Sequence, residues 1–315
     1  MEREIRYAAG IDLGGTTVKY AVVDDRGGIC FSGSLPTPAT AGAEAVAGAV
    51  LQAVKACTDH AAAAGLTLDG VGAGTPGVIS ADGRTVVGGA ENIAGWENVP
   101  LADIITRASG LAARIDNDAN LMALAETMFG AAQGASDVVF LTVGTGIGGG
   151  VLIGGRLFGG YRNRGTELGH TVLLADGERC ACGACGCLEH YASTSALVRR
   201  YRERAERAGK DAGSVDGRKI VEAYRAGEPL ALETLEEHWR FLAEGIRSLV
   251  NIFAPQKVVV GGGISEAGDF YFDRLREYVA ESVIPVCGSH TEIVAARLGN
   301  SAGCLGAAGL VFGKR

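Results

Sequence analysis

The sequence predicts an α/β fold of two similar domains facing each other across a cleft. Three observations carry that expectation. Short apolar, strand-like runs alternate with apolar runs at helical spacing along all 315 residues. Forty-nine glycines, about twice the usual share of about 7 %, cluster at turns between those runs and form no low-complexity tract. That usage suits backbone lying close to a ligand. One device also occurs twice. Residues 10–23 read strand, Gly/Thr turn, strand, and residues 140–153 repeat the pattern.

The elements follow in order. Residues 7–12 form a buried strand and 19–24 its hairpin partner, with glycines between. Residues 43–64 are alanine-rich at helical spacing and closed by Gly65. A short strand, 70–74, runs into Thr75-Pro76-Gly77. Helix 101–109 is followed by strand 112–115, which ends at Asp116-Asn117-Asp118, and by helix 119–129. Strands 138–143 and 149–153 enclose the second glycine turn. From Thr194 the chain turns mainly helical, at 195–207, 218–226 and 230–253. Strand 257–260 enters Gly261-Gly262-Gly263 and a further helix, and helix 271–286, strand 292–295 and helix 301–312 complete the chain. No linker is proline-rich, so close packing of the domains is expected.

Bulk properties exclude some functions. A net charge of −7 argues against nucleic acid as the main partner. No apolar run reaches the roughly 18 residues of a membrane span. The N-terminus carries no apolar signal-peptide core, so a cytoplasmic protein is expected, where disulfides are rare.

That compartment matters for residues 165–193, the most informative stretch. It holds His170, Cys180, Cys182, Cys185, Cys187 and His190. One histidine with three cysteines completes a tetrahedral zinc set. A disulfide staple or a Cys182–Cys185 redox pair would use the same residues, but the expected compartment favours metal. Six donors compete for four positions, and spacing does not choose among them. Glu167 and Glu189 flank the set and suit sugar hydroxyls.

The two glycine turns are candidate phosphate cradles. Bare N–H groups there, with hydroxyls of Thr16, Thr17, Thr142 and Thr145, can meet an anion. Asp12 could hold Mg²⁺ through water, and Lys19 could offset phosphate charge. Either turn alone could be an ordinary hairpin; the pair points to a nucleotide. Gly144, Gly146 and Gly149 fit G-x-G-x-x-G, but strand residues follow where a dinucleotide site needs a helix. No Walker A motif is present. The turn after residue 260 could carry an adenosine ring or be a plain strand-to-helix turn. Asp116-Asn117-Asp118 stands at a strand's carboxyl end, where a general base belongs, although Asp and Asn are also preferred helix caps. Asn92 could donate to a sugar hydroxyl.

Together these residues resemble the ROK family of bacterial sugar kinases, within the actin/hexokinase-like (ribonuclease H-like) ATPase superfamily. The resemblance covers essentially the whole chain. It includes residues 10–19, Gly74-Thr75-Pro76-Gly77, residues 92–96, Asn117-Asp118-Ala119-Asn120 and residues 144–150. Its most specific part is Glu-x-Gly-His followed by Cys-x-Cys-Gly-x-x-Gly-Cys-x-Glu.

The resemblance implies ATP and Mg²⁺, bound by Asp12, Gly14, Gly15, Thr16, Thr17, Lys19, Thr145, Gly146, Gly262 and Gly263. It implies Asp118 as base, and Asn92, Asn117, Glu167, His170 and Glu189 as sugar ligands. It implies a structural zinc on His170, Cys180, Cys182 and Cys187, leaving Cys185 and His190 surplus. Ala94 departs from the proline that many members carry. The implied domains are 1–118 with 301–315, and 119–300 with the zinc loop and helical region. Relatives are commonly homodimers or tetramers, though no heptad seam is visible here.

Glucose is the first expected substrate, on Glu167 and the loop of residues 91–96. N-acetylmannosamine, N-acetylglucosamine, fructose, mannose or allose are alternatives, and polyphosphate could replace ATP. A non-catalytic sugar sensor and a redox protein compete with the kinase. Asp12 and Asp118 favour catalysis, and a first core strand at Tyr7 is expected to leave no room ahead for a DNA-binding domain.

Overall fold

A computed structural model describes residues 4–90 and 93–313. The chain forms two compact units. The first takes the chain up to Gly134, Gly150–Thr166 and the residues from Leu298 onward. The second takes Ala135–Gly149 and Glu167–Arg297.

In the first unit, β1 (Tyr7–Leu13) and β2 (Thr17–Asp24) form the expected hairpin, and β3 (Ile29–Pro36) extends it antiparallel. Strand β3 is not expected from the sequence. Its Ser, Gly and Pro content is poor for a strand, and it survives as an edge. The Tyr20 ring lies over the bare Cα of Gly33, and Phe31 stacks on His60 at 4.3 Å.

Helix α1 (Ala43–Ala63) buries Val46, Val50, Val54, Cys57 and Ala61, one stripe at helical spacing. It ends where Gly65 turns left-handed at φ 68°. Strand β4 (Leu68–Thr75) runs parallel to β1. A small hairpin, β5 (Val78–Ile79) with β6 (Val86–Gly88), and helix α2 (Leu101–Ser109) lead to β7 (Ala113–Asn117), parallel to β4. The sheet order is β3-β2-β1-β4-β7. Helix α3 (Asp118–Phe129) follows without a loop. The division expected after Asp118 falls at the first residue of α3, and β7 and α3 both lie in the first unit.

Strand β1 is buried on both faces. Ala9, Ile11 and Leu13 join α1 and α2 on one side, while Ala8 joins the cluster around α3 and the last helix on the other. Each large apolar side chain so buried stabilises by about 1.5–3 kcal/mol.

In the second unit, β8 (Val138–Val143) leads through the glycine turn into β9 (Ile147–Ile153). Strand β10 (Arg156–Leu157) pairs with the end of β9, and both of those segments belong to the first unit. The helical region holds α4 (Leu188–Ala192), α5 (Thr194–Arg207), α6 (Gly217–Arg225) and α7 (Pro229–Phe253). Helix α7 starts cleanly because Pro229 needs no N–H partner and the Glu228 carboxylate accepts from the Ala231 amide. It buries Leu235, Trp239, Leu242, Ile246 and Leu249.

Strand β11 (Lys257–Gly261) lies parallel to β8, and its exit is a 3-10 turn, Gly263–Ala267, rather than an α-helix. The expected helix 271–286 is two helices. Helix α8 (Asp269–Ser282) stops, Val283 and Ile284 are extended, and α9 (Pro285–Gly288) restarts. Pro285 explains the break, since it offers no N–H and forces the preceding residue out of helical backbone. Strand β12 (Glu292–Ala295) closes the order β10-β9-β8-β11-β12.

Helix α10 (Ala302–Phe312) returns to the first unit, backbone against backbone. A β-carbon on Gly10 would lie 2.0 Å from the Cys304 carbonyl oxygen, and one on Gly72 would lie 1.7 Å from that of Ala307. Among the described residues no helix is long and apolar enough to cross a membrane.

Candidate functional site

In the first unit the Asp116-Asn117-Asp118 triplet separates three tasks. Asp116 is buried, and its Oδ1 accepts from the Asn117 amide at 2.8 Å and from Asn120 Nδ2 at 3.0 Å. Asn117 caps α3: its Oδ1 accepts from the amides of Ala119 at 2.9 Å and Asn120 at 3.3 Å. Its Nδ2 donates to the Gly77 carbonyl at 3.1 Å. Asp118, with the cap supplied by its neighbour, accepts from the Ala119 amide at 3.0 Å through Oδ1. Burial lifts its carboxyl to about 6, against a bond from the Ala119 amide that lowers it, and the nearby Asp12 charge adds to the rise.

Asp12 is itself 9 % exposed, and burial raises its carboxyl while Lys19 pulls it down. The side chain rests on the start of α10. A β-carbon on Gly303 would lie 2.3 Å from Asp12 Cγ. Lys19 Nζ donates to Asn300 Oδ1 at 3.4 Å. Neither Gly303 nor Asn300 was expected at this site. Both act on it from a distant part of the chain, with no local motif to mark them.

The turn after Asp12 is closed by the Gly14 amide on the Thr17 carbonyl at 3.0 Å. Thr37 braces it from outside, its hydroxyl donating to the Gly14 carbonyl at 2.7 Å. Gly15 is half-buried, Thr16 exposed and Thr17 half-buried. The Thr75-Pro76-Gly77 segment is held at one end by Asn117 and at the other by buried Trp96, whose Nε1 donates to Thr75 Oγ1 at 2.8 Å. Ala94 uses the amide that proline lacks, donating to the Ala39 carbonyl at 3.1 Å. Asn92 lies outside the described residues.

In the second unit the glycine turn carries a guest. Glu189 Oε2 accepts from the Ile147 amide at 2.8 Å and stands where a Gly146 β-carbon would be, 2.2 Å away. The turn bearing Glu167 and His170 sits on the same run, since a β-carbon on Gly169 would lie 2.0 Å from the Ile147 carbonyl oxygen. These glycines therefore admit the acidic segment as well as leaving amides bare. Glu167 is exposed and His170 half-buried. Thr145 and Gly144 line a depression of about 570 Å³ with Gly263, which brings the turn after β11 beside the turn after β8. A Gly262 β-carbon would lie 2.3 Å from the Val143 carbonyl oxygen, so the two turns touch.

The structure gathers His170, Cys180, Cys182 and Cys187, with one ligand atom of each within 4.8 Å of all the others. Cys180 Sγ lies 3.5 Å from His170 Nδ1, and Cys182 Sγ 3.6 Å from Cys187 Sγ. A tetrahedral zinc at its usual bond lengths requires about 3.6 Å for an S···N edge and about 3.8 Å for an S···S edge. The set fits zinc in donor type, number and spacing. Cys185 is exposed and outside the group, and His190 Nδ1 instead faces Glu178 at 3.6 Å. All eight cysteines are free thiols.

Comparison with known proteins agrees with the motifs. The ROK family model matches residues 8–314. A glucokinase of Thermotoga maritima is 37 % identical over 310 residues, spanning 96 % of each chain. The structure of a ROK glucokinase from Streptomyces griseus, solved with glucose and AMPPNP, superposes with a TM-score of 0.81 at 35 % identity, covering 96 % of this chain and 98 % of that one. A ROK transcriptional regulator homologous to the E. coli MLC protein superposes with a TM-score of 0.86 at 25 % identity, covering 97 % of this chain and 77 % of its own. The chain belongs to the ROK family, and its α/β fold with two sheets is the one these structures share.

Proposed function

We propose that this sugar kinase transfers the γ-phosphoryl group of ATP to a hexose, glucose first, giving glucose 6-phosphate. The observation that carries the reading is Asp118: a carboxyl poised near 6 and left by Asn117 with little capping work. A base of that strength is ionised at neutral pH and can still take a proton. The glucokinase relatives support glucose as the hexose.

In this reading Asp118 accepts the proton of the attacking sugar hydroxyl. The sugar oxygen bonds to the γ-phosphorus as the bond to the bridging oxygen breaks, and ADP leaves. Asn117, held by its cap and by the Gly77 carbonyl, takes a sugar hydroxyl beside Asp118. Glu167, His170 and Glu189 hold further hydroxyls, with Asn92 assisting. The amides and hydroxyls of residues 14–17 and of Thr145 and Gly146 meet phosphate, and Lys19 offsets its charge. Gly262 and Gly263, beside Thr145, take the nucleoside. Asp12 would hold Mg²⁺, which neutralises charge on the transferred group. His170, Cys180, Cys182 and Cys187 would hold zinc, whose closed ligand set fixes the segment that carries Glu167 and Glu189. We further propose a cytoplasmic homodimer or tetramer; a lone monomer in sedimentation at micromolar concentration would refute it.

The test is a panel of glucose, mannose, fructose, allose, N-acetylglucosamine and N-acetylmannosamine with ATP and Mg²⁺, and again with polyphosphate. Sugar-dependent product formation with glucose preferred in kcat/KM supports the reading. Sugar binding without turnover of any donor would replace it with a sensor, the class of the regulator relative.

A further inference from the structure

The zinc loop contains one thiol more than the metal needs, and its position gives that thiol a use. Residues 180–185 form a tight turn. The Cys180 amide donates to the Ala184 carbonyl at 2.8 Å, the Gly183 amide to the Cys180 carbonyl at 3.0 Å, and Arg179 bridges Cys185 across the base. Within the four-ligand group Cys180 and Cys187 are buried, whereas Cys182 is exposed. Cys185, three residues from Cys182, is exposed as well. Gly183 between them has φ 93° and nothing within 4 Å of where a β-carbon would stand, so solvent reaches the tip of the turn.

We propose that Cys182 and Cys185 form an oxidant-sensitive modification site, at which a peroxide closes a disulfide and releases the zinc. The inference rests on the zinc reading above. Cys185, which holds no metal, is open to reaction. Its thiolate attacks one peroxide oxygen, the O–O bond breaks, and a sulfenic acid forms with loss of water. The exposed Cys182 sulfur then attacks the sulfenic sulfur and gives up its proton. The S–S bond forms, hydroxide leaves and is protonated to water, and Cys182 would no longer be available to hold zinc. The sum is two thiols and one peroxide to one disulfide and two waters.

Three of the four residues that would hold the zinc remain, which would open the metal to exchange. His170 and Cys187 are then freed, and they are near neighbours of Glu167 and Glu189 in the chain. Oxidation would therefore reach the sugar-binding carboxylates without touching Asp118. A thiol reductant with added zinc reverses the change. Had oxidation simply joined the 3.6 Å pair Cys182 and Cys187, Cys185 would be irrelevant.

The experiment uses reduced full-length protein, its zinc content first measured by elemental analysis. Hydrogen peroxide is added with a chromophoric zinc chelator, and the disulfide is located by peptide mass mapping. Wild type is expected to release one zinc per chain with a Cys182–Cys185 disulfide, and to recover it on reduction with zinc present. Cys185→Ser is expected to hold zinc at the same peroxide dose, with release slowed at least about tenfold. Reduced protein that carries no zinc overturns this inference and the metal assignment together. Zinc-loaded Cys185→Ser that releases at the wild-type rate, or a wild-type disulfide mapped to Cys182–Cys187, overturns this inference alone.

Discussion

The two glycine hairpins look alike in sequence and differ in what fills them. In the first, between β1 and β2, the carboxylate is the hairpin's own: Asp12, pressed on α10 at Gly303 and close enough to Asp118 to raise its carboxyl. In the second, between β8 and β9, the carboxylate arrives from the segment after the Cys/His cluster: Glu189, held by the Ile147 amide over Gly146. The first hairpin concentrates negative charge where burial makes it costly, and that cost raises the carboxyl of Asp118, the proposed base. The second receives a charge whose hydrogen bond is already made. A glycine-rich turn thus marks a close approach without saying what approaches.

The largest expected effect tests the acidic side of that contrast. Asp118→Asn should lower kcat by about 10²- to 10⁴-fold with sugar affinity near wild type, whereas Glu189→Gln should act mainly on sugar KM. Wild-type kcat/KM should fall about tenfold per pH unit below about 6, where Asp118 takes its proton. Stability should run the opposite way. A carboxyl raised from 3.8 to about 6 on folding makes the folded state bind more protons between those values. Wild-type stability from this group therefore declines as pH rises through that window. Asp118→Asn should gain in melting temperature relative to wild type at pH 8 and not at pH 4. A variant that is merely less stable at every pH would make Asp118 a helix cap.

Next in size is the close approach that supports the first hairpin. Gly72→Ala puts a β-carbon 1.7 Å from the Ala307 carbonyl oxygen, so helix and sheet must separate. We expect a loss of about 3 kcal/mol or more in chemical denaturation. A neutral result would show that α10 does not lie as described.

The third prediction separates two reasons for glycine inside one turn. Gly146→Ala displaces Glu189, whereas Gly144→Ala enters space with nothing within 4 Å. Glucose KM should rise about tenfold in the first, equivalent to about 1.4 kcal/mol, and little in the second. Were Gly146→Ala to raise ATP KM alone, the glycine would serve phosphate and not Glu189.

The smallest effect has the opposite sign. Gly48 sits inside α1 with nothing within 4 Å of its missing β-carbon. Gly48→Ala should stabilise by about 0.5–1 kcal/mol, read as a higher denaturation midpoint. Loss of stability there would mean that even this glycine marks a contact.

The sequence by itself determined what depends on neighbours along the chain. The apolar stripe of α1, the cap and the proposed base in Asn117-Asp118, the α/β alternation and the donor types at residues 170–187 are all local patterns. Propensity, capping and ligand chemistry act over a few residues, so composition and spacing record them. The resemblance to the ROK family selected four donors out of six, and tertiary structure gathers the same four within reach of one ion.

Tertiary structure alone decided the contacts between distant segments. These are the edge strand β3 covered by Tyr20 and His60, the seat of Asp12 on Gly303, and Glu189 over Gly146. The break at Pro285, by contrast, is a local feature that was readable in the sequence. The physical reason is that a glycine signals only the absence of a side chain. What occupies the space is set when elements far apart in the chain come into van der Waals contact, and no local pattern carries that distance.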